Sequence, residues 1–211
     1  MKNKTTSNEY NTEGYSRFHK WGERNRLKKL ARYQKGKVLD IGCADQFNPF
    51  LKTAYGTDVY IPKIVPKNYK LYKMDSDNLY SYPFKDEFFD VIIAGEVVEH
   101  IPDMGQFLTE MNRILKPGGT LCISTPNPQS PVEIAIHLWT WIKGYDFDKG
   151  KVFDHVHEFL TTNMITLLNN YGFKPFGIEG TYIQIPFTKI QINMNIVPLT
   201  YQTIYYAHKK R

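Results

Sequence analysis

The run Lys37-Val38-Leu39-Asp40-Ile41-Gly42-Cys43-Ala44-Asp45 constrains this chain most, because it joins a buried strand to a nucleotide-type loop. Val38, Leu39 and Ile41 form a short apolar run, and Asp40 interrupts it where a strand should end. Gly42 permits close backbone approach or a positive φ that a β-carbon would penalise. In an open parallel sheet, ligands bind beyond the carboxyl ends of the strands, where the winding direction reverses. The acidic residue in the turn and the absence of Gly-x-Gly-x-x-Gly argue against a dinucleotide oxidoreductase.

Strand and helix signals alternate after that loop. Tyr55–Val59 reads as a second strand with its exit, and Tyr69–Met74 as a third, ending at Asp75. Phe47–Thr53 is a short helix or turn made irregular by Pro49. Phe88-Phe89-Asp90-Val91-Ile92-Ile93-Ala94-Gly95-Glu96 is a buried strand ending in small and acidic residues. A helix follows from Asp103 to Leu115, with Asp103 as N-cap. Leu115-Lys116-Pro117-Gly118-Gly119 is then a helix stop and tight turn into the strand Thr120–Ser124. A last helix spans Thr161 to Tyr171, and Phe173–Gly177, Thr181–Ile185 and Gln202–Ala207 supply further strand material. Strands alternating with helices predict an α/β sheet.

In their order and spacing these segments, with Val97-Val98-Glu99-His100-Ile101-Pro102 between the fourth strand and its helix, closely resemble class I S-adenosylmethionine-dependent methyltransferases. The resemblance covers about Lys37 to Phe173. It implies a doubly wound, seven-stranded, mostly parallel sheet of the Rossmann-like methyltransferase kind, its last strand antiparallel. It also implies S-adenosyl-L-methionine as cofactor. Asp58, eighteen residues after Asp40, matches the carboxylate that accepts both ribose hydroxyl hydrogens. Asp75 matches the position that pairs with the adenine amino group, and Asp77 competes with it. Gly42 and Ala44 would line the amino-acid portion, with Asp40 ordering the loop or receiving the ammonium. Ala94, Gly95 and Glu96 would flank the methyl-donor end. Ala44 and Gln46 stand where the family loop has its later glycines.

Glu96, Glu99 and His100 form Glu-x-x-Glu-His. On a helix these positions share one face, and two carboxylates with one imidazole suit Mg²⁺, Mn²⁺ or Co²⁺. The pattern looks like the metal motif of ubiquinone-pathway O-methyltransferases and small-RNA 2′-O-methyltransferases, but it also occurs in the superfamily without a known metal. Asp154-His155-Val156-His157 offers further ligands. Without metal, His100, His155 and His157 are the candidate general bases for methyl transfer to a hydroxyl.

The chain carries a formal net charge of +6 over 211 residues. Ten Lys and Arg against three acids put +7 on residues 1–36, leaving −1 for the rest. Residues 1–36 are therefore expected to be a basic N-terminal segment with a lid helix from Tyr15 to Tyr33, bringing Tyr15, His19 and Trp21 over the cofactor. Leu27, Leu30 and Ala31 form that helix's inner stripe. Residues 37–211 form the main domain, with substrate-side insertions at about 129–152 and 186–198. The first insertion is rich in apolar and aromatic residues, including Ile134, Leu138, Trp139, Trp141 and Ile142. These suit a core-covering lid, an acceptor pocket or a peripheral membrane contact.

No apolar run reaches the length of a membrane span, and no signal-peptide pattern opens the chain. With Cys43 and Cys122 read as reduced core thiols, a cytoplasmic protein is expected. The favoured acceptor is a small-molecule or glycan hydroxyl. RNA (ribose 2′-O-methylation) and a non-catalytic cofactor-binding role are the alternatives.

Overall fold

The computed structural model describes residues 19–144, 155–186, 188 and 190–211. One seven-stranded sheet organises them, in the spatial order β3-β2-β1-β4-β5-β9-β6. Its strands are β1 Val38–Ile41, β2 Ala54–Asp58, β3 Tyr69–Lys73, β4 Phe89–Gly95, β5 Leu115–Pro126, β6 Phe173–Gly180 and β9 Gln202–Lys209. β1 pairs in parallel with β2 through Leu39 opposite Tyr55, and with β4 through Leu39 opposite Ile92. β9 runs antiparallel to both of its neighbours, β5 and β6.

This topology places the site. From β1 the chain winds one way through β2 and β3, then returns to β1's other side for β4 and β5. The reversal leaves a crevice beyond the carboxyl ends of β1 and β4. Central strands must be apolar on both faces, and all four residues of β1 are buried, Asp40 included.

Alternate side chains of these strands feed two separate cores. Leu39, Ile92, Leu121 and Tyr205 pack with Phe107, Leu108 and Met111 of α2 (Met104–Ile114) and Met164 and Leu168 of α4 (Thr161–Asn170). Val38, Val91, Ile93, Cys122 and Tyr206 pack on the other face with Leu30, at the end of α1 (His19–Leu30), and with Ala31. Asp103 caps α2 as expected, its Oδ1 accepting from the Gln106 amide at 2.9 Å. Cys43 and Cys122 are both buried and unbridged.

Residues 47–53 take the turn form, one of the two expected. Two other expectations change. Lys116–Gly119 lies within the continuous β5 instead of forming a separate turn. Thr181–Ile185 is not a strand of the main sheet: β6 ends at Gly180, and beyond it Thr181 and Tyr182 keep single backbone hydrogen bonds to Gln202 and Tyr201. Only Ile183–Gln184 (β7) remains extended, paired with Gln191–Ile192 (β8) in a ribbon of its own. Residues 129–144 carry a capped helix, α3 (Pro131–Lys143), started by Ser130 and Pro131. Among the described residues no helix is long and apolar enough to cross a membrane.

Candidate cofactor and acceptor sites

Gly42 follows β1 with φ +66°, and a β-carbon there would lie 2.6 Å from Cγ2 of Val97. Only glycine suits the position. The Gly42 amide donates to the Thr57 carbonyl at 2.8 Å, which docks the loop on the end of β2. Asp40 does not open into the crevice. Its Oδ2 accepts from the Tyr69 hydroxyl at 2.6 Å, and that hydroxyl accepts from the Asn48 amide at 2.9 Å. Asp40 thereby anchors the far end of the loop through β3. Burial pushes its pKa up to about 6, against the opposing hydrogen bond from Tyr69.

Asp58 ends β2 with both carboxylate oxygens oriented. Oδ2 accepts from the Ala44 amide and Oδ1 from the Val59 amide, each at 2.8 Å. Burial raises its pKa, partly offset by these amides. A carboxylate held this way keeps unused lone pairs for a diol. Beside it opens a cleft lined by Val59, Lys73, Met74, Asp75 and Ser76. Asp75 is exposed at its rim, and its Oδ1 accepts from the Asp77 amide at 3.0 Å. Asp58, the loop and this cleft fit a molecule carrying a ribose and a base.

The opposite end of the crevice is a buried polar network in which Glu96 gains partners, Ser124, Gln202 and Arg26, that no motif signals. Glu96 stands at φ +57°, a costly backbone region for a non-glycine residue. Its amide donates to the Ser124 carbonyl at 3.0 Å. Its carboxylate accepts from Ser124 Oγ and from Gln202 Nε2, each at 2.9 Å. Arg26 of α1, only 4% exposed, donates to Ser124 Oγ at 3.2 Å and to Gln46 Oε1 at 3.1 Å, and pairs with Glu23 at 2.6 Å. Burial alone would lower the Arg26 pKa, but Glu23 and Glu96 outweigh it. Burial raises Glu96, with Arg26 pulling the other way.

No helix begins at Glu96. Its left-handed backbone breaks any such start, and only a single 3-10 turn forms at Val98–His100. The face shared by positions i, i+3 and i+4 therefore does not exist. The ligand atoms brought within 4.8 Å of one another belong instead to Glu99, His100 and His155. Glu99 is 1% exposed, and burial, reinforced by Glu96, pushes its pKa up to about 9. Among the described residues its Oε2 has no hydrogen-bond partner. The His100 and His155 rings lie 4.9 Å apart at an interplanar angle of 70°. His157 lies 3.2 Å from the Pro102 carbonyl through Nε2.

A second cleft adjoins these histidines, lined by Thr125, Pro126, Glu133, His155, His157 and Glu158. Glu133 comes from α3, as does His137, whose Nε2 lies 3.2 Å from Glu158 Oε1. Asp154 and Tyr15 lie outside the described residues, as do the side chains of His19 and Trp21. The residues of α1 seen at the crevice are Glu23 and Arg26. Their i, i+3 spacing was visible in the sequence, but nothing there separated Arg26 from nine other basic residues.

A doubly wound sheet with a glycine turn after β1, a carboxylate at the end of β2 and an antiparallel penultimate strand position is the architecture of class I S-adenosylmethionine-dependent methyltransferases. Consistently, residues 14–176 match the family model described as "Methyltransferase domain", and the chain belongs to that family. A solved methyltransferase from Thermotoga maritima shares the fold, with a TM-score of 0.68 and 20% identity over 92% of this chain and 95% of its own. A demethylmenaquinone methyltransferase from Lactiplantibacillus plantarum is 35% identical over 82 residues, 38% of this chain and 34% of the relative. Another, from Listeria monocytogenes, is 31% identical over 129 residues, 53% of this chain and 54% of the relative. The matches thus span about a third to a half of these relatives' lengths.

Proposed function

We propose that the protein transfers the methyl group of S-adenosylmethionine to a small-molecule acceptor, with a hydroxyl oxygen as the receiving atom. The observation that carries this reading is the pair of clefts at the two sides of one crevice. The first fits the nucleoside at Asp58 and Asp75, and the second gathers His155, His157 and Glu133 where an acceptor would enter. Asp40 and Ala44 order the loop that lies along the amino-acid portion, while Glu96 and Arg26 close the methyl-donor end. Attack by a hydroxyl requires its proton to leave as the C–O bond forms, and a neutral imidazole accepts a proton near neutral pH. His155 and His157 line the acceptor cleft for that, with His100 beside His155. Holding acceptor and sulfonium in line contributes much of the rate. Since matched relatives are named for demethylmenaquinone, its reduced quinol belongs in the acceptor panel beside hydroxylated aromatics and glycans, and a methyl group found on a ring carbon would overturn the hydroxyl reading.

One observation favours a second reading of the same histidines. Glu99, His100 and His155 offer one oxygen and two nitrogens at close quarters, with a buried oxygen of Glu99 unpartnered. This donor set fits a divalent cation, which would supply Lewis acidity to an acceptor hydroxyl. Glu96 would not be a ligand, since its carboxylate is not among the ligand atoms that converge there. Chelator decides between the readings. Turnover that survives EDTA leaves the imidazole as base, whereas turnover lost to EDTA and restored by Mn²⁺ or Co²⁺ assigns the metal.

Cofactor binding is tested separately by calorimetry on Asp58→Ala. Losing charge-assisted hydrogen bonds to two hydroxyls should weaken binding roughly tenfold to a hundredfold. Unchanged affinity would remove Asp58 from the site.

A further inference from the structure

α3 leaves a large apolar stripe uncovered. It is a well-formed element, with Ser130 Oγ accepting from the Glu133 amide, Pro131 in the first turn, and Gly144 ending it at φ +79°. Yet none of its residues is buried. Ile134, Leu138, Trp141 and Ile142 recur at i, i+4, i+7 and i+8, so they form one stripe. That stripe faces solvent, with Leu138 56%, Trp141 73% and Ile142 70% exposed. The side turned to the protein is mixed and only half-buried, with Val132, Glu133, Ile136 and Thr140 on it; Glu133 lines the acceptor cleft, and exposed His137 meets Glu158. An isolated helix of this length is marginal in water, and this one gains no core burial to support it.

The surroundings extend the stripe. Asn127, just before α3, donates through Nδ2 to the Val197 carbonyl at 2.9 Å, tying the helix start to the segment after β8. Exposed Ile192, Met194 and Ile196 lie along that segment. The Asn127 amide also donates to the Tyr201 carbonyl, and Tyr201 packs against Tyr182, whose ring meets Gly22 of α1. The entry of the basic α1 and the base of α3 therefore share one end of the molecule. Lys143 sits 5.0 Å over the Trp139 ring, a cation beside an aromatic of the kind that suits a headgroup region.

We propose that α3 is an interfacial helix that docks the protein on an anionic lipid bilayer, with the acceptor cleft held against the membrane surface. Charge selects this occupant over a second copy of the chain. At net +6, with +7 concentrated in residues 1–36, two copies repel while an anionic surface attracts. The proposal does not depend on which acceptor is methylated.

Co-sedimentation with phosphatidylglycerol-containing vesicles and with pure phosphatidylcholine vesicles tests it on the full chain. Binding to the anionic vesicles is expected, weakened about tenfold or more in pure phosphatidylcholine and in the double variant W141E/I142E. In a Trp21→Phe background, lipids brominated on the acyl chain should quench the remaining tryptophans, a readout that leaves α3 intact. Three results overturn the proposal: no binding to anionic vesicles, binding that W141E/I142E leaves unchanged, or absence of quenching. Concentration-dependent dimerisation in ultracentrifugation, abolished by W141E/I142E and without vesicle binding, assigns the stripe to a second copy instead.

Discussion

Asp40 places a carboxyl inside a sheet, and burial pushes its pKa up to about 6. The unfolded chain holds an aspartate near ~3.9. The folded state therefore binds this proton more tightly, so Asp40's contribution is fully present below about pH 4 and is lost as pH rises through 6. The loss is on the order of 2–3 kcal/mol. Asp40→Asn keeps an acceptor for the Tyr69 hydroxyl and removes the charge, so that part of the slope should vanish. Urea unfolding of both proteins between pH 4 and 7 checks it, and parallel curves would refute it. Glu96 and Glu99 titrate in the same sense in both proteins and cancel from the comparison. Gly42 and Asp58 were legible at this scale, because each follows an apolar strand and local sequence dictates its place. Arg26 was not, because its burial depends on Ser124 and Gln46, which are distant in sequence.

At the scale of elements, α1 does more than cover the sheet. It carries Arg26 into a site with Glu23 and Glu96 around it, where a cation offsets buried carboxylates. Replacing the arginine with Arg26→Met leaves those acids without their counter-charge. Removing one partner of a buried ionic network commonly costs about 3–5 kcal/mol. The variant should lose stability of that order in urea at pH 7.5 and bind cofactor more weakly, as would a chain lacking residues 1–33. A loss below about 1 kcal/mol would show that the acids are already neutral there. α3 teaches the complementary lesson. Its start was written in Ser130 and Pro131, but whether its apolar stripe covered a core was open until the sheet's other elements were in place.

Across the whole molecule, stability should follow the sheet. β1, β4, β5 and β9 lie inside it, with two cores packed against opposite faces. α3 and the β7–β8 ribbon have little buried apolar surface. Their amides should exchange with solvent by local opening, while amides of the central strands await global unfolding. Hydrogen exchange read by mass spectrometry checks this order, and equal protection of α3 and β4 would contradict it. Cys43 and Cys122 give a second readout. Burial raises both thiol pKa values, Cys122 up to about 12, so a thiol reagent should label neither until the sheet opens.

By itself the sequence determined the sheet's central strands, the turn after β1, the N-cap of α2 and the carboxylate of Asp58 at the end of β2. All depend on periodicity, turn chemistry or residues adjacent along the chain. Tertiary structure alone decided that Thr181–Ile185 would leave the main sheet, where β6 holds the place beside β9. It also decided that Glu96 is not among the ligand atoms that converge at Glu99, His100 and His155. Ser124 and Gln202 hold its carboxylate, and no reading of a five-residue motif contains those partners. His155 reached Glu99 and His100 across more than fifty residues of chain for the same reason: convergence of distant groups belongs to packing.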